Sequence, residues 1–244
     1  MSKIRPFAAL RPSFSNAPDV ACLPYDVMDR QEAAEMAEEN PKSFLRIVRS
    51  EIELPGVDAY DERVYEKAKE NLEAFEENGY LIRDKKPHLY VYAQTMEGRT
   101  QRGIVACANI DEYLEGKIKR HELTRVEKEL DRFRHFDVTN ANTEPVFFAY
   151  RSHPGVKAVL DEICQQDPAV HFTSEDGITH TCYVVDDPLQ EEKLLRFFEE
   201  MDALYIADGH HRTASAAKVG RKRRGEHPNY SGDEAFHYFL AVLF

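Results

Sequence analysis

The chain has 244 residues, and its 44 aspartates and glutamates against 32 lysines and arginines leave a net charge of −12. That balance argues against sequence-independent nucleic-acid binding as the main task, because such binding needs a basic face. Charged residues make up 31% of the chain, the mean hydropathy is −0.58, and the longest apolar runs fall well short of the roughly 20 residues that span a bilayer, so no membrane partner is expected. The opening "MSKIRPFAAL" lacks the long apolar core of a signal peptide. The expectation is a cytoplasmic protein of one or two domains with a substantial core.

In chain order, "DVACLPYDVM" is a short apolar segment broken at Pro24. "DRQEAAEMAEEN" predicts a helix with Asp29 as its N-cap and a stop at Asn40 and Pro41. "SFLRIVRSEI" alternates apolar with polar residues and predicts a strand. Val64, Ala68, Leu72 and Phe75 recur at helical spacing and predict an amphipathic helix, closed by Asn78 and Gly79. "HLYVYAQTM", "EGR" and "TQRGIVACANID" form a predicted hairpin, and "EYLEGKIKRHELT" follows as an irregular connection. "RVEKELDRFRHFDVTNAN" reads as a charged helix, "EPVFFAY" as a strand and "HPGVKAVLDEICQQ" as a helix. "AVHFTSEDGITHTCYVVDD" reads as two strands around Asp176 and Gly177. Pro188 opens a helix with Leu194, Phe197, Phe198 and Met201 on its apolar face. "ALYIADG" is a short strand, "HHRTASAAKVGRKRR" a helix with small residues suited to close packing, and "AFHYFLAVLF" a buried strand. The irregular alternation predicts an α/β (α+β) protein with mixed sheets.

Three further features bound the reading. Cys22, Cys107, Cys164 and Cys182 are far apart with no C-x-x-C pair, which points to small packed hydrophobes rather than a zinc site or disulfides. The basic run "KVGRKRRGEH" reads as a solvated helix end, with its cations near the C-terminal dipole. The sequence ends on an apolar strand without a polar tail, which predicts that the natural protein continues past Phe244 and carries part of the active site there.

The chemistry concentrates in "YIADGHHRTASA", Tyr205 to Ala216. The order strand, Asp-Gly, helix places unpaired backbone N–H groups and a partial positive charge at the turn. Gly209 permits a sharp turn and close ligand approach. Arg212 adds a planar fork suited to phosphate, and His210 and His211 add donors that titrate near neutral pH. The leading reading is a phosphate cradle. A structural cap with packed histidines, and direct metal ligation, are the alternatives. Ligation by His210 and His211 together is disfavoured, because adjacent helical side chains diverge. Asp208 would repel phosphate and is assigned to a phosphate-bound metal, to helix capping or to orienting a histidine. In "KIKRHELT", Glu122 could act as a general base tuned by His121 or Lys119. On the residues alone, a capping turn with solvated charges explains that segment better. In "TNANTEP", Asn140 and Asn142 either bind a ligand or close the preceding helix, and closure is the simpler account.

"IRPFAAL", "LPYDVM", "NPKSFLRI", "KIKRHELT", "TNANTEPVFFAY", "ADGHHRTASA" and "FHYFLAVLF", in that order, closely resemble domain of unknown function family 1015 over almost the whole chain. Members of that family generally continue well past this point. The family is in turn similar to the ParB/sulfiredoxin-like superfamily, in which a Gly-x-x-Arg turn at a helix start binds nucleotide phosphates. "DGHHR" looks most like the version in that superfamily's free serine kinases. Those enzymes phosphorylate the hydroxyl of L-serine from ADP or ATP with magnesium, using a glutamate as base.

The resemblance implies phosphate contacts from Gly209, His210, His211, Arg212 and Thr213, with Asp208 on Mg2+. It implies Glu122 as the base, and His121, Thr124 and Asn142 are further candidates for substrate contacts. It implies a ParB/sulfiredoxin-like nucleotide-binding core over 86–150 and 202–244, an N-terminal α/β region over 1–85 and an inserted α/β segment over 151–201. The expected function is a nucleotide-dependent phosphotransferase acting on a small hydroxyl substrate, with ATP or ADP as donor. The alternatives are a ParB-like nucleotide-binding switch without metabolic turnover, and a structural or regulatory protein with a degraded site.

Overall fold

The hairpin of β4 (Leu89–Met96) and β5 (Arg99–Asn109) lies inside the main sheet of a computed structural model that describes residues 3–244. Before it come β1 (Ile4–Arg5), β2 (Leu10–Pro12), α1 (Ala17–Val20), α2 (Arg30–Ala37), α3 (Leu45–Val48), α4 (Glu62–Glu77) and β3 (Leu81–Arg83). After it come α5 (Ile110–Leu114), β6 (Ile118–Lys119), α6 (Val126–Thr139), β7 (Val146–Ala149), α7 (Pro154–Ile163), β8 (Val170–Thr173), β9 (Thr179–Val185), α8 (Pro188–Glu199), β10 (Leu204–Asp208), α9 (His210–Glu226) and β11 (Tyr238–Leu243).

The nine-stranded sheet has the order β6-β10-β7-β11-β5-β4-β9-β8, with β1 added on β5. It is mixed. β10 runs parallel to β6 and antiparallel to β7, and β11 runs parallel to β7 and antiparallel to β5. The side-chain period of two is plain in the centre, where buried Ile104, Ala106 and Ala108 alternate with half-buried Val105 and Cys107. Helices α7, α8 and α9 pack Val156, Ile163, Leu194, Phe198 and Ala217 into the same core. The segment 151–201, expected as an insertion, therefore supplies β8, β9, α7 and α8 to the main sheet and its core.

The N-terminal region has its own two-stranded sheet, β2 with β3, and two small cores around Tyr25, Leu45 and Val48 and around Ile47, Phe75 and Leu81. It is fastened to α6 by polar contacts. The Tyr65 hydroxyl donates to Asp131 Oδ1 (2.9 Å), and His135 Nε2 lies 3.0 Å from the Ile47 carbonyl.

Local signals hold where they were strongest. Asp29 caps α2 in a reciprocal capping box with Glu32, and Asp61 caps α4. The β4–β5 turn places Glu97 and Gly98 both at positive φ, 50° and 78°. The strand expected in "SFLRIVRSEI" is instead α3 followed by a 3-10 turn, Ser50–Glu53. Leu45, Ile47 and Val48 are all buried, which a strand with one wet face would not allow. Arg46 and Arg49 are drawn inward to carbonyls, Arg46 to Ala37 (2.6 Å) and Asn40 (3.1 Å), Arg49 to Tyr25 (2.7 Å) and Met28 (2.9 Å). The "irregular" connection contains α5 and the edge strand β6, whose partner β10 is remote in sequence. The four cysteines are free. Burial pushes the Cys22 and Cys107 thiols up to about 12, so they are inert. Among the described residues no helix is long and apolar enough to cross a membrane.

Candidate functional site

β10 ends in a register shift between Ile206 and Asp208, and the chain turns into α9 through Gly209 at φ 89°. A Cβ there would stand 3.2 Å from Val146 Cγ1 and 3.2 Å from Arg212 Nε, so both backbone and space demand glycine. No side chain caps α9. The N–H groups of His210, His211 and Arg212 therefore face the turn without intrahelical acceptors. Behind the turn α9 buries Ala214, Ser215, Ala216, Ala217 and Gly220. The Ser215 hydroxyl donates to the Glu129 carbonyl (2.8 Å), which sets α9 directly against α6.

Arg212 is buried, with its fork engaged. Nη1 donates to the Pro145 carbonyl (2.7 Å) and Nη2 to Asp208 Oδ2 (2.5 Å). Asp208 is 64% exposed against 7% for the arginine side chain, so it is the removable partner. The adjacent histidines diverge as helix geometry requires. His211 Nε2 accepts from the Arg125 backbone N–H (3.0 Å) and so pins the start of α6. His210 is buried and turns the other way, with Nδ1 3.6 Å from Glu122 Oε1 and its ring edge-on to His121 at 4.6 Å. Its Nε2 is buried without a hydrogen-bond partner among the described residues. Burial lowers the His210 pKa below that of free histidine, and Glu122 opposes the shift, so the ring is neutral near pH 7.

The structure thus brings Glu122 and His121, from the β6–α6 connection, onto the first residue of α9. Two expected contacts do not form. Thr213 is fully buried, and both its N–H and its hydroxyl bond the Gly209 carbonyl at 2.9 Å, so it supports the turn and offers no ligand contact. The Thr124 hydroxyl donates to Glu129 Oε2 (2.5 Å), itself paired with Lys218, so it is engaged within the protein at the start of α6. Asn142 is exposed beyond Asn140, which closes α6 in the left-handed conformation at φ 51°.

Sequence reasoning passed over Arg132, Glu144 and Tyr25. Arg132 and Glu144 are buried, with Nη1 3.7 Å from Oε2, and neither atom has a hydrogen-bond partner among the described residues. Arg132 lies over the Tyr25 ring at 4.1 Å, and the Tyr25 N–H donates to Glu144 Oε1 (3.2 Å). Burial pushes the Glu144 carboxyl above its ordinary range, against the pull of Arg212 and Arg132. The available signal was the placement of Glu144 beside Pro145, whose carbonyl holds Arg212. A cleft of about 530 Å³ at the far end of α9, bordered by His227 and Tyr230, and one of about 450 Å³ beside α5 and β6, ending at Arg120, both lie outside this turn.

Fold and turn together define a mixed α/β protein whose sheet delivers a strand–glycine–helix turn, faced by a carboxylate from a second connection. The chain belongs to the family described as protein of unknown function (DUF1015), which matches residues 4–244. Nothing among curated proteins or solved structures matches it.

Proposed function

We propose that the protein is a nucleotide-dependent phosphotransferase acting on a small hydroxyl substrate, with a free serine kinase-like activity as its leading form. The observation that supports this most is the approach of Glu122 to within 3.6 Å of His210 at the uncapped start of α9. A base candidate and an anion-binding helix start, far apart in sequence, meet at one place. In this reading the region around β7, β10 and α9 is a ParB/sulfiredoxin-like core. The N–H groups of His210, His211 and Arg212 and the guanidinium of Arg212 receive the phosphates of ATP or ADP. Phosphoryl transfer needs charge neutralisation and alignment more than covalent help.

Asp208 suits a magnesium ion that arrives with the nucleotide, since Mg2+ prefers one or two carboxylates plus phosphate oxygens and water. That ion would neutralise phosphate charge. Phosphate at Arg212 replaces the exposed Asp208 and leaves its carboxylate free. Glu122 takes the acceptor's hydroxyl proton, with His121 beside it. Thr124 and Thr213 keep supporting roles.

The test is to incubate the full-length protein with ATP or ADP, magnesium and a pool of amino acids and small alcohols, and to look for phosphorylated product by mass spectrometry. If Glu122→Gln and Arg212→Ala both leave turnover unchanged, the assignment is wrong. Tight nucleotide binding without product would select a ParB-like switch. Against a DNA clamp, most cations of the basic run are already paired, Lys218 with Glu129 among them. Lys222 and Arg223 pair with Asp137, and Arg224 with Asp111.

A further inference from the structure

We infer that His121, Glu122 and His210 form a binding site for one divalent transition-metal ion of the zinc or cobalt type. The three side chains each offer a ligand atom, and these atoms all lie within 4.8 Å of one another. Ligands about 2.1 Å from a tetrahedral ion stand about 3.4 Å apart. The 3.6 Å between His210 Nδ1 and Glu122 Oε1 is close to that edge and too long for a hydrogen bond.

His210 supplies the second, independent observation. Its side chain is 5% exposed, and its Nε2 has no hydrogen-bond partner among the described residues. A buried imidazole without partners costs about 1–3 kcal/mol unless something satisfies it. No hydrogen bond reaches Nδ1 either among the described residues, and coordination through that nitrogen, which faces Glu122 at 3.6 Å, would give the buried ring a partner. His121 and Glu122 are neighbours in an irregular connection rather than a helix, so both can converge where His210 and His211 cannot. The connection is pinned just downstream by the Arg125 N–H on His211 and by Thr124 on Glu129, which holds two of the three ligands near their places.

Two nitrogens and one carboxylate suit zinc or cobalt better than magnesium, which prefers oxygen. His121 and Glu122 are exposed, so the ion would keep an open coordination position. The inference stands apart from the phosphotransfer reading, because ion binding is measured without turnover. The two meet at Glu122, whose carboxylate would be either ligand or base.

The experiment is a titration of the metal-stripped full chain with Co2+, followed by its visible absorption, and with Zn2+ by calorimetry. The expected result is one ion per chain, with cobalt bands of low coordination number. His121→Ala and Glu122→Gln, both exposed and therefore tolerated by the fold, should each weaken binding at least about tenfold, the lower end of what losing even an outer-shell partner costs. No stoichiometric binding, or binding equal in wild type and both variants, overturns the site. Intact cobalt bands in a wild-type chain that forms no phosphorylated product would count against the kinase reading alone.

Discussion

α6 and α9 lie side by side in the same direction, and their two ends are finished in opposite ways. At the C-terminal end three successive cations of α9 have partners. Lys222 and Arg223 take Asp137 at 2.5 and 3.0 Å, and Arg224 takes Asp111 through both nitrogens and reaches His237. At the N-terminal end α9 has no cap, His210 has an orphaned ring nitrogen, and the Arg212 fork is held by an exposed, displaceable carboxylate. The more basic end is thus the quieter one. Charge density in the sequence marks the end that stabilises, whereas unsatisfied polar groups mark the end prepared for a ligand.

The largest expected effect breaks this contrast at the open end. Glu122→Gln should lower phosphotransfer about 10²- to 10⁴-fold, the usual contribution of a positioned base. Arg212→Ala should lower it about 10²- to 10³-fold, and product formation by mass spectrometry reads both. Arg224→Ala, with the same charge change at the closed end, should leave turnover unaltered.

Next comes pH. Burial lowers the His135 pKa to about 3, with Arg132 adding to the shift. The unfolded chain therefore takes up a proton below about pH 6.5 that the folded chain refuses. Stability should fall as pH drops from about 6.5 towards 3, by on the order of 3 kcal/mol at pH 4. His135→Gln should flatten that slope in denaturant unfolding followed across pH. A slope unchanged by the variant would place the acid sensitivity elsewhere.

Gly209, at the N-cap of α9, and Gly220 within the helix sharpen the contrast. A Cβ at Gly220 would stand 2.4 Å from the Phe236 carbonyl, and one at Gly209 would adopt φ 89° against Val146. Gly220→Ala and Gly209→Ala should each cost about 1–3 kcal/mol in chemical denaturation. Only Gly209→Ala should also weaken nucleotide binding, because only that glycine shapes the open turn. The smallest effect is expected for Asp111→Ala, about 0.2–1 kcal/mol, since its pair with Arg224 is partly exposed.

The elements were legible in proportion to how local their causes are. Caps at Asp29 and Asp61, the helical spacing of Val64, Ala68 and Phe75, and the Glu97–Gly98 turn each depend on residues a few positions apart. So does the left-handed turn at Gly209, whose conformation follows from one residue, although the lack of space there comes from the remote Val146. Thr213 and Thr124 show the limit, because hydroxyls that look available in the sequence are consumed by Gly209 and Glu129 after folding. Arg46 shows another. As a strand residue it would point to water, but the end of α2 offers it carbonyls, and the segment coils to reach them.

By itself the sequence determined an acidic α/β protein with a glycine turn before a helix of small residues, because periodicity, capping and φ preference act over short distances. Tertiary structure alone decided that residues 151–201 would extend the main sheet. It also decided that the N-terminal region would rest Tyr25 on Arg132, and that His121 and Glu122 would meet His210. Those are meetings of side chains from remote segments, set by how helices and strands dock, and no local pattern encodes which carboxylate arrives beside which histidine.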